Sequence, residues 1–261
     1  MPGYDRFAFV YDALTENVGY AQRADYLFML LKSAGVQSGL LLDLACGTGS
    51  LSVELCKKGY DVIGVDGSFE MLNAAREKCA PYGERILLLC QDMTQLDLFG
   101  TIDCAVCSLD SINHLTDEKD VREAFRLVSL FMNQGGVFVF DVNTPYKHKY
   151  VLGDNCFVYE EDGIFCTWQN FFYEDDCSVE IFLDFFTEQE DGSYLREQES
   201  FCERAYDDKQ LTTMLEDAGF SVLSRYGEMT TDAPKKDEQR VYYVCRKITP
   251  TGTAGGKNRN E

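Results

Sequence analysis

Between residues 40 and 142, short apolar runs alternate with amphipathic stretches, the pattern of a parallel sheet whose faces are covered by helices. Residues 40–44 (LLLDL) predict a first strand, and residues 50–58 a helix closed by Gly59 just past its end. Residues 61–65 predict a second strand, with Ser68 capping a helix that runs to about Lys78. The unbroken apolarity of residues 86–90 (ILLLC) predicts a third strand buried on both faces. Residues 103–108 predict a fourth. Within residues 118–132, Val121, Phe125, Val128 and Phe131 recur at helical spacing, and Gly135 with Gly136 ends that helix before a fifth strand at 137–142.

The rhythm then changes. Runs of β-branched and aromatic residues are separated by EEDG, EDD and EDGS, which read as hairpin turns, so residues 151–204 predict an inserted antiparallel meander of four strands. Asp207 and Gln210 form a capping-box pattern for a helix through Ala218, closed by Gly219. Residues 220–226 and 240–247 read as two closing strands. The chain thus divides into an α/β core of residues 1–150 and 205–247, the insertion, and a tail at 248–261 (ITPTGTAGGKNRNE) that can bury nothing and is expected to be disordered.

Composition narrows the picture. A chain of 261 residues, 45% hydrophobic, can bury one sizeable core without disulfide staples. No run of about 18 apolar residues occurs, and residues 1–20 are broken by Asp5, Arg6, Asp12 and Glu16. Neither a membrane span nor a secretory signal is expected, and a cytoplasmic location is. The 11 cysteines are scattered, many in apolar runs (Cys90, Cys104, Cys245), as reduced core residues are. Cys104 and Cys107 form a CxxC, but on a strand they point to opposite faces. With only His114 and His148 as imidazoles, no metal site is expected. A net charge of −20 disfavours direct nucleic-acid binding. Between Asp154 and Asp208, 17 acids face only Arg196 and Arg204, which marks the insertion as a distinct module.

The stretch LLDLACGTGS places a Gly-x-Gly turn between the first strand and its helix. Without Cβ atoms, Gly47 and Gly49 let the backbone approach a ligand, and the helix beyond offers free N–H groups. Both glycines would equally serve a tight turn alone. Three acids, however, fall at the ends of successive strands, where an open α/β sheet binds its ligand: Asp43, Asp66 and Asp92. Asp66 follows Gly49 at a distance that suits the two hydroxyls of an adenosine ribose, and Asp92 with Met93 suits the adenine amino group and ring. Ser52 stands where a dinucleotide fold wants a third glycine, and no Lys follows the turn as a phosphate loop requires. Acids without a cation fit a ligand of little negative charge, such as S-adenosylmethionine.

In this order, LLDLACGTG, VDGSFEML, QDM, DCAVCSLDSINHL and GGVFVFDVN resemble the successive motifs of class I S-adenosylmethionine-dependent methyltransferases, over roughly residues 4–247. SLDSINHL and YDRFAFVYDAL are similar to the small-molecule branch that includes glycine N-methyltransferase. The resemblance implies a doubly wound sheet of seven strands with the last antiparallel. It also implies cofactor contacts from Tyr11, Asp43, Ala45, Cys46, Gly47, Gly49, Asp66, Gly67, Met71, Asp92, Met93, Ser108 and Leu109. Asp43 has an alternative as a structural acid, and Tyr4, Phe9 and Tyr11 as packing of an N-terminal helix rather than a lid. Asp110 reads either as an acceptor contact or as the cap of the following turn.

Methyl transfer needs positioning, desolvation and, for a protonated acceptor, a base. His114 is the only histidine near a strand end on the ligand side and is the candidate base; its alternative is a hydrogen-bonded anchor for its loop. Trp168, Phe171, Phe172, Tyr173, Phe185 and Phe186 with the surrounding acids would suit a cationic acceptor such as an amine, or would simply bury against one another. Trp168, Arg204 and Tyr206 join Asp110 as acceptor-contact candidates. Two other classes stay open: an NAD-dependent oxidoreductase, and a non-catalytic cofactor-binding protein whose insertion recruits a partner.

Overall fold

The computed structural model describes residues 19–161 and 163–248. Tyr4, Phe9 and Tyr11, and the tail beyond Ile248, lie outside the described residues. A helix, α1 (Tyr20–Ser33), precedes β1 (Gly39–Leu44), α2 (Ser50–Lys57), β2 (Tyr60–Asp66), α3 (Phe69–Cys79), β3 (Ile86–Cys90), β4 (Ile102–Cys107), α4 (Glu118–Phe131) and β5 (Met132–Asn143). Four strands follow: β6 (Cys156–Glu161), β7 (Ile164–Tyr173), β8 (Ser178–Glu188) and β9 (Tyr194–Arg204). The chain closes with α5 (Asp208–Asp217), β10 (Phe220–Gly227) and β11 (Arg240–Lys247).

The seven core strands form one sheet in the order β10-β11-β5-β4-β1-β2-β3, and β6 to β9 form a separate four-stranded sheet. β1 to β5 pair in parallel, whereas β11 runs antiparallel to both β5 and β10. The inserted sheet is antiparallel throughout. Alternate side chains of each central strand serve the two faces. Leu42, Ala105, Cys107, Phe138 and Phe140 pack under α4 and α5, while Leu41, Cys104, Val106, Val137 and Val139 pack under α1 and α2. Cys104 and Cys107 therefore belong to opposite core layers, as strand geometry requires. All eleven cysteines are free. Phe138, Phe140 and Tyr243 stack in a row, each adjacent pair 5.0 Å apart.

The caps follow the expected chemistry. The Ser68 hydroxyl accepts from the Met71 amide at 3.2 Å, and Asp207 with Gln210 makes a complete capping box. Two expectations are corrected. β3 is an edge strand rather than one covered on both faces: Leu87 is 52% exposed, and Cys90 is exposed rather than core. Gly135 and Gly136 do not separate α4 from β5. The chain turns directly at Met132, which pairs with Ile102, and the glycines lie inside β5 at a register shift. There a Cβ on Gly136 would meet the Asp103 carbonyl at 2.9 Å. α1 carries Ala24, Tyr26, Leu27, Leu30 and Leu31 into the core, with Gly19 in left-handed backbone at its N-cap.

Candidate active site

β1 delivers the chain into a turn in which Ala45, Gly47 and Gly49 all have left-handed backbone, φ 60°, 54° and 74°. The two glycines have different tasks. A Cβ on Gly47 would project into open space, whereas one on Gly49 would meet Ala75 Cβ at 3.0 Å and Cys79 Sγ at 3.1 Å. Gly47 thus leaves room beside the turn, and Gly49 lets α3 lie close against it.

A cavity opens beside this turn at the carboxyl edge of the sheet. Asp43, Ala45, Cys46, Gly47 and Asp66 line it from β1, the turn and β2; Met71 comes from α3, and Ser108, Leu109 and His114 come from the segment after β4. Tyr20, Thr48, Ser50, Leu51 and Ser111 complete the lining. These five escaped the sequence reading because they are ordinary helix and turn positions that only the fold brings together. A smaller hollow beside it is lined by Gly67, Asp92 and Met93 with Ala45, Val65, Asp66 and Gln91. Ala45 and Asp66 belong to both.

Asp66 spans the two strand ends, its Oδ2 accepting from the Gly47 amide and its Oδ1 from the Ser68 amide, each at 2.8 Å. Burial raises its carboxyl above the ordinary range, and these two amides oppose the rise. Two donors leave acceptor capacity on a carboxylate, so it can also take hydroxyls. Asp43 is 1% exposed, accepts from the Ser52 hydroxyl, and is pushed up to about 7, chiefly by burial. Asp92 caps the short turn Met93–Gln95, with Oδ1 accepting from the Thr94 amide at 2.8 Å and hydroxyl at 2.7 Å; Met93 is buried. Among the described residues no Lys or Arg lines either hollow. Lys78, which does not line the cavity, donates to the wall hydroxyls of Thr48 and Ser50 at 2.9 and 2.8 Å. The open space at Gly47, the spare acceptors of Asp66 and the carboxylates on the wall fit an adenosine ligand that carries positive rather than negative charge.

His114 ends the turn Ser111–His114, with its ring 5.1 Å from Phe201 of β9 and Nε2 3.8 Å from Glu203 Oε1. It is not alone: His148 lies on the other side of Glu203, Nε2 to Oε2 3.5 Å, which corrects the expectation of a single histidine there. His148 is fully buried with Nδ1 3.1 Å from the Cys177 carbonyl. A carbonyl only accepts, so Nδ1 carries the proton. Sequence distance hid this grouping, since Glu203 closes the inserted sheet.

The other acceptor-contact candidates are engaged elsewhere. Asp110 makes no cap on its turn and instead pairs with Arg240 at 2.8 Å. Burial alone would raise Asp110, but Arg240, Lys147 and His114 outweigh it and hold the carboxyl well below the usual range. Trp168 donates to Asn170 Oδ1 at 2.7 Å within the inserted sheet. Arg204 donates to the carbonyls of Thr116 and Asp176 and pairs with Glu118. Tyr206 is a core residue bonded to the Leu115 carbonyl. None of these four lines the cavity.

Similarity to known proteins agrees with this geometry. A family model described as Methyltransferase domain matches residues 41–136. A protein of Geobacillus sp. (strain WCH70) that bears a methyltransferase name is 34% identical over 245 residues, covering 94% of this chain and 99% of its own. A glycine/sarcosine N-methyltransferase of Halorhodospira halochloris is 28% identical over 238 residues, covering 85% of this chain and 80% of its own. Among solved structures, an S-adenosylmethionine-dependent methyltransferase from Clostridium acetobutylicum ATCC 824 superposes with a TM-score of 0.84 at 33% identity, covering 94% of this chain and 99% of its own. The oxidoreductase alternative falls with these relatives. With its seven-strand sheet, its acid-lined cavity and this identity over nearly its whole length, the chain belongs to the class I S-adenosylmethionine-dependent methyltransferases.

Proposed function

We propose that the protein methylates a small amine, with the cofactor in the cavity beside Gly47 and the acceptor entering between His114 and the inserted sheet. One observation carries this: the cavity wall offers carboxylates and hydroxyls, with no Lys or Arg among its described residues. The bound cofactor supplies a methyl group already activated on a sulfonium. The chain's own residues bind, orient and keep water out. Asp66 takes the ribose hydroxyls, Asp92 the adenine amino group, and Met93 sits by the ring. Asp43, next to the turn, faces the cationic end. Gly47 gives backbone access, with Ala45, Cys46, Gly67, Met71, Ser108 and Leu109 closing around it.

The inserted sheet acts as the lid. Its inner face, with Val179, Ile181, Leu183 and Phe185, packs with Met71, so the wall of the cofactor cavity and the insertion share one apolar cluster. A protonated amine must lose a proton before its lone pair attacks, and His114 on the cavity wall is placed to take it. The relation to a glycine/sarcosine N-methyltransferase supports an amine acceptor. No helix among the described residues is long and apolar enough to cross a membrane, and the eleven free thiols favour a reducing, cytoplasmic setting.

Asp66→Ala tests the site. It should weaken S-adenosylmethionine binding by about 1.5–3 kcal/mol in calorimetry while leaving the fold intact. Equal affinities for two folded proteins would sink the ribose assignment. Incubation with methyl-labelled cofactor and fractionated small metabolites then identifies the acceptor: a labelled amine is expected, and a product labelled on oxygen or carbon would overturn the amine.

A further inference from the structure

Ser108 and Leu109 reach the cavity through a segment in an unfavourable conformation: Leu109 and Asp110 are consecutive non-glycine residues with φ 61° and 54°. Single left-handed residues of this kind persist only where their surroundings over-determine them. The surroundings are a fully buried carboxylate. Asp141, at the carboxyl end of β5, is 0% exposed and accepts from the Ser108 hydroxyl at 2.8 Å, the Leu109 amide at 3.0 Å and the Asp110 amide at 3.1 Å. Arg240, from β11, donates to the same carboxylate and to Asp110 Oδ1 at 2.8 Å. Four donors on one carboxylate fill its acceptor sites.

We propose that Asp141 is a positioning residue for cofactor binding: backed by Arg240, it locks Leu109 and Asp110 in left-handed backbone and so fixes the wall that Ser108 and Leu109 present to the cofactor. This rests on the cavity being the cofactor site. Asp141 acts through the loop, since it does not line the cavity itself. The geometry explains the choice of a carboxylate. An amide at this position would keep one acceptor oxygen but turn its NH2 toward the Asp110 amide and the Arg240 guanidinium, donor against donor. The lock therefore needs a group that only accepts, and burial needs a cation beside it.

Glycine adopts this backbone without penalty, which gives a diagnostic test. Asp141→Asn should weaken S-adenosylmethionine binding, measured by calorimetry, by about ten- to a hundredfold. In a Leu109→Gly background the same change should cost at least about threefold less, because one of the two left-handed residues no longer needs to be held. An equal cost in both backgrounds overturns the proposal, as does an Asp141→Asn protein that binds like the parent. A measurement on the unaltered protein needs no variant: without cofactor, the Leu109 and Asp110 amides should resist hydrogen exchange, and rapid exchange would refute the lock. If Asp66→Ala weakens binding and Asp141→Asn does not, the lock alone fails; if neither affects binding, the cofactor site itself is misplaced.

Discussion

Asp43 makes the sharpest test of how the cavity treats charge. In the free protein burial pushes its carboxyl from 3.8 to about 7, with the Ser52 hydroxyl opposing and Asp66 adding to the rise. The sign follows from linkage. The raised acid favours the fold at low pH, and that contribution is lost as pH rises from about 4 to about 7, a change on the order of 4 kcal/mol. A cation placed beside Asp43 reverses the preference, because it favours the ionised form. In the free protein the carboxylate is about one-tenth ionised near pH 6 and about three-quarters ionised near pH 7.5, so affinity for a cofactor that binds beside the ionised form should rise about eightfold between them. Calorimetry in buffers of differing ionisation enthalpy would follow both the affinity and the released proton. Asp43→Asn, run in parallel, should bind more weakly, lose this rise, and be more stable than the parent above about pH 7. A parent protein whose affinity is flat across this window, or an Asn variant that keeps the same rise, would refute the placement of the cationic end at Asp43.

Three further outcomes are expected. His114→Gln, which cannot take the proton, should lower kcat by about 10²- to 10⁴-fold with cofactor affinity unchanged; a loss under about tenfold would show that the histidine only anchors its loop and that positioning supplies the rate. Gly49→Ala should destabilise the protein by about 1–3 kcal/mol in denaturant melts, because its Cβ would meet α3. Gly47→Ala, whose Cβ meets nothing, should cost only the roughly 1 kcal/mol of its left-handed backbone and act mainly on cofactor binding; the reverse ordering in melts would contradict the division of labour between the two glycines. Replacing residues 154–204 with a short Gly/Ser linker should spare cofactor binding and abolish methylation of the native acceptor, and a soluble product that still turns over at the parent rate would refute the lid.

Local chemistry made most of the sheet legible. Strand runs bounded by Gly59, the Ser68 cap and the capping box at Asp207 are signals carried within a few residues, and the structure realises each. What failed depended on neighbours in space. ILLLC looks the same at the centre of a sheet or at its edge, and only the strand order puts Leu87 in solvent. Within the site, Asp43, Asp66 and Gly47 were readable because one motif and the ends of adjacent strands hold them. Glu203, His148 and Asp141 were not: Glu203 and His148 are far apart in sequence, and the donors to Asp141 come from β11 and from the segment after β4. Trp168, Arg204 and Tyr206 tie strands and loops together and do not line the cavity, and in sequence such aromatic and cationic side chains look alike whether they touch a ligand or brace the fold.

The close seating of α3 on Gly49 carries a thermodynamic consequence. A turn shaped by ligand contacts alone would be ordered only when the ligand arrives, and that lost freedom would be subtracted from affinity. Here Ala75 and Cys79 brace the turn from behind, while the Asp66 carboxylate ties the Gly47 amide to the start of α3. Ordering of the turn is therefore charged to folding and not to association. Changes on the hidden side of α3, remote from any ligand atom, should register as slower capture and faster release of the cofactor, and families of such changes offer a way to tune residence time without altering a single contact.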